Sequence, residues 1–465
     1  MSLYEWFLLF LSFNLIIFGG SYKLFNLAGV AGWKALIPFY NIIKYLDIIK
    51  RPRWWTILVF IPVINLLMIP VIWIEFIKTF NHSTKSDRIL VIITLGLYIY
   101  YVSYVSNKTK YIDEISFSNF ERSFGSIIFA VVIATIVHNY IIQPFVIPTG
   151  SLEKTLRVGD FLLVSKFHYG ARIPSTVISF PMVHDTIPII KSRSYLKKPQ
   201  LPYLRIPGFQ EIKNNDIVVF NWPADTVRKF FVKEKGVIKP IDKKSNYVKR
   251  AIGIPGDTLE IRDGLIYLNG KENTLPDRAK PLFTYLIKSD KGVSSSKLIN
   301  LQVDGFIRKF IIRNLSTDTY AEISKYILNI SNTGENEYLI YTTDKGVPVD
   351  LVRKLGLDIR EIIDKEKELS LTYIDAIKIE NSNQFDTVYR LIEKESPLNS
   401  IFFPNNKRFN WNNDQFGPIY IPKAGDKIDL NINTLPLYKK IIIDYEYNDL
   451  RVVEEDILIN GKIEN

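Results

Sequence analysis

The run Pro148-Thr149-Gly150-Ser151 places a serine at the end of turn-forming residues, a setting that can present its hydroxyl to solvent. A serine becomes a nucleophile only with a base beside it. The chain has no Cys and four His. His82 and His138 fall in an apolar N-terminal part, and His168 and His184 stand in a segment without a Ser-His-Asp pattern, so all four read as ordinary histidines. A lysine can serve instead where apolar surroundings draw its pKa toward neutral. Lys249 is the candidate: it ends the strand-like Tyr247-Val248 and precedes Arg250-Ala251-Ile252-Gly253-Ile254-Pro255-Gly256-Asp257. The apolar setting and the cation Arg250 would both disfavour its charged form. A Ser–Lys pair needs neither His nor Cys, and the missing Cys also excludes a disulfide scaffold, a thiolate metal site and a Cys nucleophile. Spacing alone leaves an ordinary loop serine and a surface lysine as the alternatives.

The elements that would carry these residues divide by charge. Residues 1–150 hold 12 Lys/Arg and 7 Asp/Glu; residues 151–465 hold 47 and 41, roughly twice the density. Crossing a bilayer takes roughly 20 apolar residues. Four stretches approach that: Leu3–Gly19, Trp54–Ile74 (with Pro62 and Pro70 inside it), Ile89–Asn107 and Phe124–Ile147. Four in succession favour membrane spans over buried core helices. The start, Met1–Glu5, has no Lys or Arg, which argues against a cleavable signal peptide. Loop 20–53 carries six Lys/Arg, and loops 108–123 and 75–88 carry three each. Placing 20–53 and 108–123 in the cytoplasm puts nine positives inside against three outside, and everything after Ile147 on the outer face.

Beyond 147 the sequence reads as mainly β. Short apolar runs at Phe161–Val164, Ile217–Phe220, Thr258–Ile261, Leu265–Leu268, Ile441–Tyr445 and Asp456–Ile459 are punctuated by Gly, Asn and Pro. Gly256–Lys271 and Tyr447–Lys462 both end in apolar-Asn-Gly-Lys, a type I′ turn signal, and read as similar hairpins of one sheet, with a third echo at Gly425–Leu430. Residues 272–400 are rich in Lys, Glu and Asp, with helical patterning near Ile323–Ile330, Leu351–Lys367 and Phe385–Glu395, and read as an inserted α+β subdomain.

Three blocks in this order after a membrane span resemble type I signal peptidase: PTGSLEKTLRVGD at Pro148–Asp160, NNDIVVFNWP at Asn214–Pro223 and YVKRAIGIPGDTLEI at Tyr247–Ile261. The third meets the Lys-Arg-x-x-Gly-x-Pro-Gly-Asp pattern in full. The N-terminal region, with AGVAGWKALIPFYN at Ala28–Asn41, and the insertion resemble the enlarged form found in Bacteroidetes-type bacteria. The resemblance implies a bacterial inner-membrane, multi-pass serine endopeptidase whose catalytic domain faces the periplasm and whose partners are preproteins with signal peptides and the lipid bilayer. Ser151 would attack the scissile carbonyl and Lys249 would be the general base. The Thr149 hydroxyl and the Ser151 N–H would form the oxyanion hole. Val146, Ile147 and Pro148 on one side, and Asn246, Tyr247 and Val248 on the other, would flank an extended substrate. Asp216, Arg250, Gly253, Pro255, Gly256 and Asp257 would be structural. No cofactor or metal is called for, and a charge of +11 spread over the chain argues against nucleic acid.

The implied architecture is an N-terminal helical membrane region plus a mainly-β catalytic domain: membrane region 1–123, anchor helix 124–147, catalytic β core 148–271, insertion 272–400 and C-terminal β part 401–465. Leu152 replaces the family's Met, Lys154 its common Pro and Asn215 its usual Gly. The family carries a further block, with Gly-Asp-Asn and Ser-x-Asp-Ser-Arg elements, after its last hairpin. Here three residues follow Asn460-Gly461-Lys462, and Asn410–Pro422 only faintly echoes that block. A truncated product, a second polypeptide that completes the chain, and an inactive preprotein-binding relative are the three readings this leaves.

Overall fold

The computed structural model describes residues 2–114, 118–225, 236–394 and 402–464. The chain forms two compact units, Met1–Thr149 with Val158–Ala251, and Gly150–Arg157 with Ile252–Asn465.

The first unit opens with helices Leu3–Gly19 (α1), Tyr22–Leu27 (α2), Tyr40–Ile48 (α3), Trp55–Phe60 (α4), Asn65–Thr79 (α5), Lys85–Ile93 (α6), Tyr98–Tyr100 (α7) and Asn119–Ile136 (α8). Ser2, Thr84 and Ser118 start α1, α6 and α8 with reciprocal capping boxes, which satisfy otherwise unpaired N–H groups. Leu24, Phe25, Tyr45, Phe76, Phe80 and Ile99 form the buried core, with Tyr45 stacked on Phe76 at 4.1 Å. Among the described residues one helix is long and apolar enough to cross a membrane, Glu121–Ile141, in which α8 continues through a π-helical turn. It is 21 residues long and exposes Phe124, Ile127, Phe129 and Ile133. At 17 residues α1 is apolar but shorter.

The other two expected spans are not single helices. Trp54–Ile74 breaks at Ile61–Ile64, where Pro62 denies a backbone donor and Val63 takes φ 72°. Ile89–Asn107 breaks after Ile93, where Leu95 has φ 50° and Gly96 has φ 88°. A Cβ at Gly96 would meet the Trp73 ring at 2.9 Å, so this turn packs backbone directly on an aromatic face. The loop assignment changes with them. Lys78 and Arg88 both bind Glu121, at 2.8 and 2.9 Å, and Lys50 binds Asp113 at 3.1 Å. These ion pairs gather loops 20–53, 75–88 and 108–123 at the N-terminal end of α8, so 75–88 does not lie opposite the other two. Pairing charges between elements distant in sequence decided this, a feature that loop-by-loop counting does not capture.

Strand Ile142–Val146 (β1) begins directly after the α8 segment and pairs antiparallel with Phe161–Ser165 (β2). Asp216–Asn221 (β3) pairs antiparallel with Asn246–Ala251 (β4), Val218 opposite Lys249. Between β2 and β3 a long irregular segment is held by single bridges such as Arg172–Arg205 and Thr176–Gln200.

The second unit contains Thr258–Arg262 (β5), Leu265–Leu268 (β6), Lys271–Glu272 (β7), Phe283–Lys288 (β8), Arg308–Arg313 (β9), Ile327–Gly334 (β10), Glu337–Thr342 (β11), Asp358–Glu361 (β12), Glu366–Leu371 (β13), Thr387–Arg390 (β14), Phe416–Tyr420 (β15), Leu450–Val453 (β16), Asp456–Ile459 (β17) and Lys462–Glu464 (β18). The sheet orders are β15-β5-β6-β7, β13-β8-β14, β10-β11-β9-β12 and β16-β17-β18. The two Asn-Gly-Lys hairpins turn alike, with Asn269 and Gly270 at φ 53° and 77° and Asn460 and Gly461 at 53° and 79°. They nevertheless belong to separate sheets, not one. The echo at Gly425–Leu430 forms no strand; the Asp426 carboxylate accepts from Lys423 N–H at 2.8 Å and holds a turn there.

Residues 283–390 combine antiparallel sheets with helices. Ser295–Asn300 and Tyr373–Asn381 contribute Leu298 and Ile379 to one core with Ile287, and Thr317–Ile323 contributes Ile323 to another with Ile312 and Ile340. The three helical patterns come out mixed: 323–330 is helical through Tyr326 and extended from Ile327 in β10, β12 and part of β13 follow a short helix within 351–367, and 385–395, whose last residue lies outside the described ones, holds β14. Conversely, Ile441–Tyr445 is not a strand but a π-helical turn that continues helix Leu435–Lys440 and buries Ile442 beside Ile457.

Candidate functional site

Val146 ends β1, and the pairing runs on past it. Ile147 N–H donates to Asp160 O at 3.0 Å, and Ile147 O accepts from Gly159 N–H at 2.9 Å. Ile147 is buried, whereas Pro148 and Thr149 are exposed. Ser151 sits in the second unit's segment Gly150–Arg157, an exposed residue on a turn that closes through Glu153 N–H to Gly150 O at 2.9 Å and Leu156 N–H to Leu152 O at 2.7 Å. Such a turn projects a hydroxyl without burying it.

Lys249 belongs to the first unit. It occupies the middle of β4, half-buried, and burial lowers its pKa from the ordinary lysine value. Arg250 does not share in this, contrary to the expectation. Adjacent strand residues point to opposite faces, and Arg250 spends its guanidinium on Asn215 O at 2.7 Å. On β4, Asn246 lies opposite Asn221 and bonds its side chain at 3.1 Å, Tyr247 lies edge-on to Trp222 at 5.0 Å, and Val248 faces Val219. Among the described strands β1 and β4 each belong to a two-stranded sheet, so each keeps a second edge that no described strand occupies.

The family-pattern residues take identifiable structural positions. Asp216 accepts from Tyr169 OH at 2.8 Å and from Lys213 N–H at 2.9 Å, closing the turn before β3. Asn215 in that turn has φ 72°, the left-handed region that Gly and Asn tolerate best, which explains why Asn can stand there. Gly256 has φ 99°, and Asp257 accepts from Ile254 N–H and from the Asn269 amide, both at 2.9 Å, so Pro255-Gly256-Asp257 forms a locked corner before β5. A Cβ on Gly253 would come within 2.3 Å of Ile421. His168 bonds Ser165 and stacks on Phe167, a local role. No group of three or more His, Asp or Glu among the described residues could hold a metal ion.

One feature of the first unit escaped the sequence reading. A cavity of about 500 Å³ is lined by Lys166, Arg172, Arg205, Lys243 and His184 together with β3 residues and the end of the α8 segment. Its cations come from separate stretches, and no local motif marks them.

Residues 121–303 match the family described as signal peptidase, peptidase S26, and residues 33–114 match a family of unknown function (DUF5684). Curated relatives include signal peptidase I of Rickettsia massiliae, 31% identical over 153 residues that make up 33% of this chain and 44% of that protein. Signal peptidase I of Pseudomonas aeruginosa is 31% identical over 151 residues, 32% of this chain and 37% of the relative. The chain therefore spans less than half the length of the curated relatives it matches. No solved structure matches.

Proposed function

We infer that the peptidase S26 domain at 121–303 makes this chain a type I signal peptidase, a serine endopeptidase that removes N-terminal signal peptides from exported preproteins. The observation that carries this reading is that one family match encloses Ser151, Lys249 and the Pro-Gly-Asp corner, each in its family order. In the proposed reaction the neutral Lys249 amine takes the Ser151 proton as Oγ attacks the scissile carbonyl. The developing oxyanion is received by the Thr149 hydroxyl and the Ser151 N–H. Lys249 then returns the proton to the leaving amine and activates the water that hydrolyses the acyl-enzyme. Burial of Lys249 supports the role, because a base must be uncharged to accept a proton. The open edges of β1 and β4 suit a substrate bound as an added strand, near Val146–Pro148 and Asn246–Val248.

We further propose that α8 crosses the inner membrane with its N-terminus in the cytoplasm. The basic loops at that end support this orientation. In this topology α1 makes a second, shorter crossing, while α4–α5 and α6–α7 enter and return as hairpins. Cleavage of a preprotein by the purified full chain in vesicles tests the activity. Wild-type protein that binds the preprotein without cutting it would instead mark an inactive relative, or one that requires a second polypeptide. The chain has no native Cys, so single-cysteine labelling tests the topology: Lys110→Cys should react only from the cytoplasmic side and Lys197→Cys only from the outside.

A further inference from the structure

The cavity between β2, β3 and the segment 169–184 has a chemistry that peptide cleavage does not use. Lys166, Arg172, Arg205, Lys243 and His184 line it, and the one carboxylate among its described lining residues, Asp242, is already engaged. Its two oxygens accept from Thr176 N–H at 3.0 Å and Thr176 OH at 2.7 Å. No described carboxylate is in ion-pair contact with any of the four Lys and Arg side chains, although Asp242 acts on both Lys243 and Arg172, and Asp185 on Lys243, from nearby. Arg172 bonds Asn221 at 2.5 Å and Lys243 bonds Ser179 at 2.6 Å, so both heads are fixed by neutral partners. Lys243 is itself 9% exposed. Lys166 reaches over the Phe145 ring at 5.8 Å, and burial together with Arg172 and Arg205 brings its pKa down to about 8.

Concentrating cations around one space is unfavourable unless an anion completes it. A tetrahedral phosphate, with oxygens on every side, matches cations converging from separate segments. We infer that this cavity binds a phosphate-bearing anion, held by Lys166, Arg172, Arg205 and Lys243. The neighbourhood points to a lipid as one source. Val63 of the Ile61–Ile64 turn lines this cavity, and Pro62 beside it lines a second, strongly apolar cavity of about 390 Å³ with Phe10, Phe13 and Phe60. An anionic phospholipid could place its headgroup in the first and acyl chain in the second; free phosphate could fill the first alone.

The test uses the full chain in detergent micelles. One arm titrates inorganic phosphate by calorimetry. The other offers equal phosphatidylglycerol and phosphatidylcholine and reads the retained lipid by native mass spectrometry. Saturable phosphate binding, preferential retention of phosphatidylglycerol, or both, is the expected result, and the arm that responds identifies the source. Lys166→Gln and Lys243→Gln should each weaken binding at least tenfold, Lys166→Arg should preserve it, and Lys197→Gln should leave it unchanged. Failure of the wild-type chain in both arms would overturn the proposal. So would undiminished binding in folded Lys166→Gln and Lys243→Gln proteins.

Discussion

The turn that carries Ser151 and the strand that carries Lys249 solve opposite problems. Gly150–Arg157 is a run of tight turns closed by its own backbone, and it leaves the serine exposed. Lys249 lies in the middle of a six-residue ladder, each residue of β4 opposite a partner in β3, and is half-buried there. A nucleophile must be reachable, while a lysine base must be shielded from water. A turn provides the first and a paired strand the second. The contrast teaches that, in the proposed dyad, access and desolvation are assigned to different kinds of secondary structure.

Replacing either member should produce the largest effect. Ser151→Ala and Lys249→Ala are each expected to lower preprotein cleavage by more than about 10³-fold, since residues acting as one unit fail together. Lys249→Arg should not restore it, because guanidinium stays charged. Residual cleavage by Lys249→Ala at near wild-type rate would move the base elsewhere. Thr149→Val should lower kcat by about 10²-fold with little change in KM, the signature of a lost oxyanion donor.

In the proposed dyad, the shielding of Lys249 should set the pH profile. Its pKa is lowered by burial, so the neutral, basic form appears at a lower pH than for a solvent-exposed lysine. The rate kcat/KM should therefore rise with pH through an acidic limb whose midpoint lies below the ordinary lysine range. A midpoint at the ordinary value would contradict the shielding. On the stability side, Asp257→Ala removes two hydrogen-bond acceptors from the corner before β5 and should cost about 1–3 kcal/mol, read as a shift in denaturant midpoint. The smallest effect should come from Asn336→Ala at the turn between β10 and β11, about 1 kcal/mol for a non-Gly, non-Asn residue held at positive φ.

Legibility in the sequence followed the range of the interaction. β2, β3, β5, β6 and β17 appeared where apolar runs alternate or cluster between turn residues, because pleat period and turn chemistry are local. Both Asn-Gly turns were legible for the same reason. Ile441–Tyr445 was misread because three consecutive isoleucines suit a strand in isolation, whereas helix Leu435–Lys440 propagates through them and tertiary packing takes up Ile442. The apolar stretches of the first third were legible as such, but not their breaks, which depend on single residues such as Val63 and Leu95 at positive φ. The candidate catalytic residues could be named because each lies in a contiguous block. The basic cavity could not, since Lys166, Arg172, Arg205 and Lys243 converge only after folding.

The passage from the α8 segment into β1 has a metrical consequence. Helix ends at Ile141 and strand begins at Ile142, with no residue between them to act as a swivel. Ser151 follows ten residues after Ile141, a path that even fully extended reaches at most roughly 36 Å. In the proposed membrane setting this makes the bilayer surface a ruler. Under the proposed function, the peptide bonds open to attack would be those within that maximum reach of the lipid headgroups, so the length of a preprotein's apolar segment would bear on the point of scission.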